Sequence, residues 1–235
     1  MLDALRVVRF SLVDFWEEFV LLISLNLLWS LAVLLPVSPW LLFASAPSVW
    51  IVPLSLLLAL PLPIVTAGLC FVTNQVTRAK AVSGQTFATG VRRYWRKALG
   101  VTAINVVALL LIASNLRFYA VVVEGTWTSL ALGIWLVLAC YWLLVQIYWF
   151  PIILEMENDR VLLGLRNALV LVIVSPGFSV VTGLLMLVLL VVGTLLTVPA
   201  ILILASLLLL MSNHATRSRL ARVRKETYRP GPDED

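Results

Sequence analysis

Charge is what this sequence has least of. Only 12% of its 235 residues are Asp, Glu, Lys or Arg, whereas 62% are hydrophobic. A soluble globular domain carries about a quarter of its residues as charged side chains. A chain with half that proportion cannot cover a surface that faces water. The composition therefore excludes an ordinary soluble protein and indicates an integral membrane protein.

Residue types that carry chemistry are also scarce. The chain has one histidine, His214, and two cysteines, Cys70 and Cys140, which form no CxxC pair. The motifs HExxH, GxSxG and the phosphate-binding P-loop are absent. We therefore expect no metal and no cofactor, and we predict that the protein is not an enzyme. A membrane enzyme would instead require several acidic side chains to meet His214 on one face.

Long runs without any charged residue divide the chain. They cover residues 19–77, 98–116, 125–154 and 167–215. A helix that crosses a bilayer needs about 20 apolar residues, so these runs have room for about six crossings, with five to seven left open. The sequence predicts an all-α, polytopic transmembrane helical bundle. We expect residues 1–222 to form a single membrane domain and residues 223–235 to form a polar, disordered tail.

The crossings can be placed approximately. We predict spans at residues 19–37, 98–116 and 127–154, and a fourth at residues 52–77 that is kinked at Pro61 and Pro63, since proline lacks a backbone donor. The stretch at 178–212 is too long for one crossing and predicts two short spans that turn between Gly193 and Pro199. A single long tilted helix is the alternative there, and the path of residues 41–63 stays open.

The first 18 residues are amphipathic at helical period. The residues on one side are Leu5, Val8, Leu12, Phe15, Trp16 and Phe19. Those on the other side are Asp3, Arg6, Ser11, Asp14, Glu17 and Glu18. This pattern is typical of a helix that lies in the membrane interface.

A basic stretch between two apolar runs, at residues 78–97, carries six cations and no acid. Read as a helix from Thr86, it places Phe87, Val91, Tyr94 and Trp95 on one arc. The opposite arc carries the cations Arg92, Arg93, Arg96 and Lys97. We predict a basic amphipathic helix with its aromatic residues toward lipid and its cations toward anionic head groups. A protein partner is the alternative, and nucleic acid is not expected, because the helix leads directly into a span.

Positive charge also predicts the orientation. The stretch at 78–97 and the tail at 217–229 hold six cations each, twelve of the seventeen in the chain. Cytoplasmic loops carry an excess of Lys and Arg, so both segments, and with six spans both termini, are predicted to be cytoplasmic. We expect the acidic loop around Glu155 and Glu157, and the chain from His214 onward, to face water.

Uncharged polar residues remain inside the spans. They are Asn26, Asn74, Gln75, Asn105, Asn115 and Gln146, and Asn105 and Gln146 lie deepest. We expect them to form hydrogen bonds between helices; a lining for a neutral, hydroxyl-rich ligand is the alternative. We find no ionisable residue well inside a span, so a charge relay for transport is not indicated.

Several short runs together resemble a known family. They are DFWEEF (14–19), NLLW (26–29), LPIVTAG (62–68), FATGVRRYWRKALG (87–100), NLRFY (115–119), RNAL (166–169) and SNHATR (212–217). Their order and content resemble the YesL family of bacterial integral membrane proteins, a domain of unknown function, over most of the chain. One departure is that residues 30–61 separate the NLLW and LPIVT runs, which follow each other closely in the family.

The resemblance implies a multi-pass protein of the bacterial cytoplasmic membrane, of a kind often encoded beside carbohydrate ABC uptake systems. It supplies no catalytic residues. We therefore expect an accessory or regulatory component linked to carbohydrate uptake, with ABC transporter subunits as partners. A permease for a neutral small solute is the alternative, and the oligomeric state stays open.

Overall fold

The chain folds as a bundle of α-helices. The computed structural model describes residues 2–43, 49–121, 123, 125, 127–158 and 160–224. The helices are α1 (Leu2–Glu17), α2 (Phe19–Leu34), α3 (Ser38–Leu42), α4 (Ile51–Leu58), α5 (Pro61–Val76), α6 (Gly84–Val121), α7 (Trp127–Glu155), α8 (Val161–Val174), α9 (Pro176–Leu195), a π-helical segment (Ala200–Leu204) and α10 (Ala205–Arg224).

The predicted all-α polytopic architecture is confirmed, and the protein is a membrane protein. Five helical stretches are long and apolar enough to cross a bilayer: Ile51–Val76, Gly84–Val121, Trp127–Glu155, Pro176–Leu195 and Ala200–Arg224. A sixth crossing exists if α1 and α2, which meet at a bend of 97°, count together. Helix α2 alone has 16 residues, about 24 Å at 1.5 Å per residue.

Helix α1 lies across one end of the bundle rather than continuing α2. Its buried residues are Ala4, Val7, Ser11 and Phe15, which pack inward. Leu5, Leu12 and Trp16 are exposed, as a lipid-facing side requires. The two-sided prediction was therefore wrong for Phe15, which was expected to face lipid, and for Ser11 and Asp14, which were expected on the polar side. A third face of α1 packs on protein, and all three residues belong to it.

The basic helix and the third predicted span form one continuous helix, α6. Its 38 residues extend about 57 Å, well beyond a hydrocarbon core of about 30 Å. Its first half packs on α5 at two glycines, Gly68 and Gly90. A Cβ added at Gly68 would lie 2.6 Å from Phe87, and one added at Gly90 would lie 2.7 Å from Phe71.

This close approach overturns the predicted orientation of the aromatic residues on α6. Tyr94 is 3% exposed, and its ring centroid lies 5.6 Å from that of Phe71 on α5. Phe87 and Val91 are packed at Gly68. Only Trp95 remains exposed. The apolar side of α6 therefore meets α5 and not lipid, because two residues without side chains give the helices a surface on which to pack.

The last predicted pair of spans is a hairpin, as the length of the apolar run indicated. Helix α9 ends at Leu195, and after a turn the chain returns through the π-helical segment and α10. Thr197 in the turn has φ +51°. The Arg219 guanidinium lies 3.7 Å from the centre of the Phe178 ring, which brings the start of α9 and the end of α10 together.

Helix α10 corrects the prediction that the chain from His214 onward faces water. His214, Ala215 and Thr216 are fully buried. The helix continues to Arg224, so Val223 and Arg224 also belong to it and not to a tail. Residues 225–235, the rest of the predicted tail, lie outside the described residues.

Candidate functional site at the basic end

Two of the predicted polar residues bind each other. The Asn105 side-chain nitrogen donates to Gln146 Oε1 at 3.0 Å, which joins α6 to α7. Asn105 in turn accepts a hydrogen bond from the Trp142 indole at 3.1 Å, and Gln146 donates to the Trp142 carbonyl at 3.2 Å. The pair therefore has the geometry of a bond between helices, and its polar atoms are already engaged.

Another of the predicted residues, Asn26, is fully buried and holds the π-helical segment against α2. Its nitrogen donates to the Ile201 carbonyl at 3.1 Å, and its oxygen accepts from the Ser206 backbone N–H at 2.8 Å and from the Ser206 hydroxyl at 3.0 Å. A π-helical turn disturbs the regular backbone pairing of an α-helix. Asn26 supplies hydrogen-bond partners to backbone groups at this place, because the interior of the bilayer contains no water that could do so.

A cluster of charged and amide side chains lies at one end of the bundle, where the C-terminal parts of α5, α7 and α10 meet. We call this end the basic end, and we call the cluster of Asn74, Arg78, Glu155, Asn213 and Arg217 the polar layer. The Arg78 guanidinium donates to Glu155 at 2.6 Å, and the two side chains are 20% and 13% exposed. Glu155 does not face water as predicted; it is the acidic centre of this layer.

The other members of the polar layer converge on the same carboxylate. Asn74 donates to Glu155 at 2.8 Å and to Asn213 at 3.2 Å. Arg217 lies 4.0 Å from Glu155 and donates to the Thr77 carbonyl at the C-terminus of α5. The carboxylate of Glu155, which is only 13% exposed, thus joins three parts of the chain that are distant in sequence: α7, α10 and the C-terminal end of α5.

Two further pairs attach α1 to α10 at this end. His214 Nε2 lies 2.8 Å from an Asp14 carboxylate oxygen, and the histidine side chain is fully buried. Arg219, 3% exposed, donates to Asp3 at 3.0 Å. Because of this hydrogen bond, the pKa of Asp3 lies below its ordinary value of 3.8.

Sequence reasoning missed the polar layer, although one signal was available. Asn74 and Arg78 are four residues apart, and so are Asn213 and Arg217. Residues at this spacing share one face of a helix. Each pair therefore marks a polar face at the end of an otherwise apolar helix, and such a face requires a partner.

The predicted basic helix contributes a surface that the fold leaves free. We call Arg92, Arg93 and Arg96 the basic face. All three are exposed, and none forms an ion pair within the described part of the chain. Arg93 lies 5.3 Å from the Tyr94 ring and Arg96 lies 5.1 Å from the Trp95 ring, contacts that restrict the motion of a guanidinium.

Lys97 differs from the three arginines with which it was predicted. It is half-buried, and its ammonium lies 4.8 Å from the Tyr94 ring. It therefore belongs to the contact between α6 and its neighbours more than to the outer surface.

The exposed arginines of the basic face and two apolar cavities are the surfaces in the described residues that are open to a ligand or partner. In the described ranges, His, Cys, Asp and Glu side chains form no group of three or more that could hold a metal ion. His214 forms an ion pair with Asp14. Two cavities are apolar: one of about 440 Å³ beside Pro61 between α2 and α5, and one of about 520 Å³ between α7, α9 and α10.

Comparison of the chain with protein-family models, with curated proteins and with solved structures finds no match.

Proposed function

We propose that the chain is a non-enzymatic accessory or regulatory component of a carbohydrate uptake system, and that it docks a partner on the basic face. The resemblance of its sequence runs to the YesL family supports the link to carbohydrate uptake. ABC transporter subunits are the expected partners.

The observation that carries the proposal is the division of the cations into two groups. Arg78, Arg217 and Arg219 are largely buried and each pairs with an acid of the same chain. The arginines of the basic face are exposed and unpaired within the described residues. Guanidinium groups bind carboxylates and phosphates in a planar, two-pronged geometry, so this face suits an acidic protein surface or anionic head groups.

Affinity purification from native membranes in mild detergent tests the docking. The variant R92Q/R93Q/R96Q removes the basic face, and R9Q/R160Q/R166Q removes three other exposed cations as a matched control. We expect transporter subunits to accompany the unmodified protein and the control, and to be lost from the basic-face variant. Repeated recovery of the unmodified protein alone would count against the proposal.

A second readout separates lipid from protein as the occupant of the basic face. Each cation near an anionic leaflet contributes about 1 kcal/mol of binding, so R92Q/R93Q/R96Q would weaken association with anionic vesicles. If vesicle binding falls while the set of co-purified proteins does not change, the face binds head groups and docking occurs elsewhere.

We further propose that the protein lies in the cytoplasmic membrane of a bacterium, with the basic end and both termini in the cytoplasm. The excess of cations at this end supports the orientation. Accessibility tags at Gly84, which is exposed at the start of α6, and at Gly231 are expected to report the cytoplasmic side. Tags on opposite sides of the membrane would contradict this orientation.

A permease for a neutral small solute is the second candidate, and one observation favours it. The helix of the span Ile51–Val76 is interrupted by a turn between α4 and α5 next to Pro61, and transporters use interrupted spans to form a binding site. Against it, the amides of Asn26, Asn105 and Gln146 are already bound within the protein. Reconstituted vesicles that show no flux across a panel of sugars would exclude it.

A further inference from the structure

Three consecutive acids, which we call the acidic run, follow helix α10 in the sequence. The helix ends at Arg224, and the run consists of Asp233, Glu234 and Asp235. The sequence contains no second run of three acids. At neutral pH these carboxyl groups are ionised, so the run carries as many negative charges as the basic face carries positive ones. The acidic run therefore matches the basic face in charge.

Cations nearer to the end of α10 are already engaged. Arg219 and Arg222 lie 3.0 and 3.8 Å from the Asp3 carboxylate. Arg224 belongs to the last turn of α10, where a cation interacts favourably with the helix dipole. The guanidinium groups of the basic face, by contrast, lie close together on one helix and form no ion pair within the described part of the chain. They are available to three adjacent carboxylates.

The distance from the end of α10 to the basic face follows from the packing of α5 between α10 and α6. Arg217 of α10 donates to the Thr77 carbonyl at the end of α5, and Gly90 of α6 packs against Phe71 of α5. Packed helices lie about 8–10 Å apart, so α6 lies at most about 20 Å from α10. Along the bundle axis, Arg224 lies about 10 Å beyond Arg217, and Gly90 lies about 9 Å from the level of Thr77 in the opposite direction. The basic face begins just after Gly90, so about 30 Å separates it from the end of α10.

The sequence between α10 and the acidic run is long enough to cover this distance. The ten residues from Lys225 to Glu234 span up to about 33 Å when extended. Pro230 and Pro232 precede the run, and proline fixes φ near about −65° and favours an extended chain over a helix. The acidic run can therefore reach the basic face of the same molecule without any change in the helices.

We propose that the acidic run binds the basic face within the same molecule and shields it from other anionic ligands. Carboxylates accept strong, charge-assisted hydrogen bonds from guanidinium groups, and a ligand that binds the basic face has to displace the run first. The contact itself requires no partner, whereas its effect on docking rests on the proposed function. In that setting residues 225–235 act as an autoinhibitory segment.

A photoreactive residue at Gly231 tests the contact in the purified full-length protein. This position lies two residues before the acidic run and leaves its charges intact. We expect an adduct within residues 84–97 of α6, and none at Leu110, which lies further along the same helix and is 61% exposed. A mixture of isotopically light and heavy protein identifies adducts that form within one molecule. Adducts confined to α1, α10 or detergent would overturn the proposal.

Charge variants test whether the acidic run and the basic face are the partners. D233N/E234Q/D235N neutralises the run and changes no described residue. This variant and R92Q/R93Q/R96Q are each expected to lower the yield of the α6 adduct about tenfold, which corresponds to about 1.4 kcal/mol. The control R9Q/R160Q/R166Q is expected to keep the adduct. An equal loss in both arginine variants would overturn the proposal, because it would indicate a general attraction to cations.

Binding of a fluorescent polyglutamate peptide measures the shielding. D233N/E234Q/D235N is expected to raise the affinity for this peptide about tenfold, because the basic face becomes available. The gain is expected to disappear when R92Q/R93Q/R96Q is added to the same chain. An affinity that does not change in D233N/E234Q/D235N would overturn the shielding. Neither measurement involves a transporter subunit, so a failure of this proposal is distinguishable from a failure of the proposed function.

Discussion

The substitution Glu155→Gln removes the charge at the centre of the polar layer and keeps the shape of the side chain. It leaves Arg78 and Arg217 opposite a neutral amide, and either Arg78 or Asn74 then faces an NH₂ group that cannot accept. A hydrogen bond to a charged partner contributes about 1.5–3 kcal/mol, whereas an exposed ion pair contributes only about 0.2–1 kcal/mol.

Glu155 and Arg78 are only 13% and 20% exposed, so their contact resembles a hydrogen bond to a charged partner more than an exposed ion pair. We expect Glu155→Gln to lower the free energy of unfolding by about 2 kcal/mol. For a chain of this size that corresponds to a midpoint about 4–8 °C lower. Thermal unfolding in mild detergent, followed by tryptophan fluorescence, measures it.

Glu157→Gln is the matched control, since Glu157 is exposed two residues further on and its replacement is expected to have little effect. The double variant R78Q/E155Q is expected to be less destabilised than the sum of its single variants, because the two residues interact directly. If Glu155→Gln unfolds at the same temperature as Glu157→Gln, the polar layer does not hold the helices together.

Three other predictions concern the contacts between distant helices. Asn26→Leu removes three hydrogen bonds, one to Ile201 in the π-helical segment and two to Ser206 at the start of α10, and is expected to cost about 2–4 kcal/mol. Asn115→Leu, which loses a bond only to Leu111 of its own helix, is expected to cost less in the same unfolding assay. Asp14→Ala leaves the buried His214 without its carboxylate and is expected to speed proteolysis within α1, while Glu17→Ala, at an exposed position, is expected not to. The pKa of Asp3 is lowered in the folded protein, so its ionised form stabilises the fold at pH values above 3.8, and this contribution is lost as pH falls through the lower folded pKa. The stability difference between the unmodified protein and Asp3→Asn is therefore expected to shrink in that acidic range. A difference that stays constant with pH would contradict the ion pair with Arg219.

Much of the helical layout follows from the sequence because it depends on local causes. Pro61 and Pro63 lack backbone donors, and the helix of this span is interrupted next to Pro61, between α4 and α5. The apolar run at 178–212 would extend about 50 Å as one helix, too long for one crossing, and it forms the hairpin of α9 and α10. The predicted span at 127–154 differs from α7 by one residue.

The polar layer did not follow from the sequence, because its partners lie far apart in the chain. Glu155 is separated from Asn74 by 81 residues, and nothing near Glu155 distinguishes a buried acid from a solvated one. The sequence spacing of Asn213 and Arg217 marks a polar helix face but does not identify what covers it.

The prediction that the aromatic residues of α6 face lipid was wrong for a related reason. An apolar face on a basic helix can contact lipid or another helix, and the amino-acid composition of that face is the same in both cases. Gly68 and Gly90 decide between them, since they allow α5 and α6 to approach closely. Their effect becomes evident only when the two helices are placed side by side.

Photo-crosslinking in native membranes tests most directly whether the basic face docks a protein. A photoreactive residue at Thr89, which is exposed one helical turn before Arg92 and Arg93, reports on the basic face and leaves its three charges intact. The same residue at Leu110 reports on a lipid-facing surface. We predict a protein adduct that contains a transporter subunit at Thr89 and lipid adducts at Leu110; lipid adducts alone at both positions would contradict docking at the basic face.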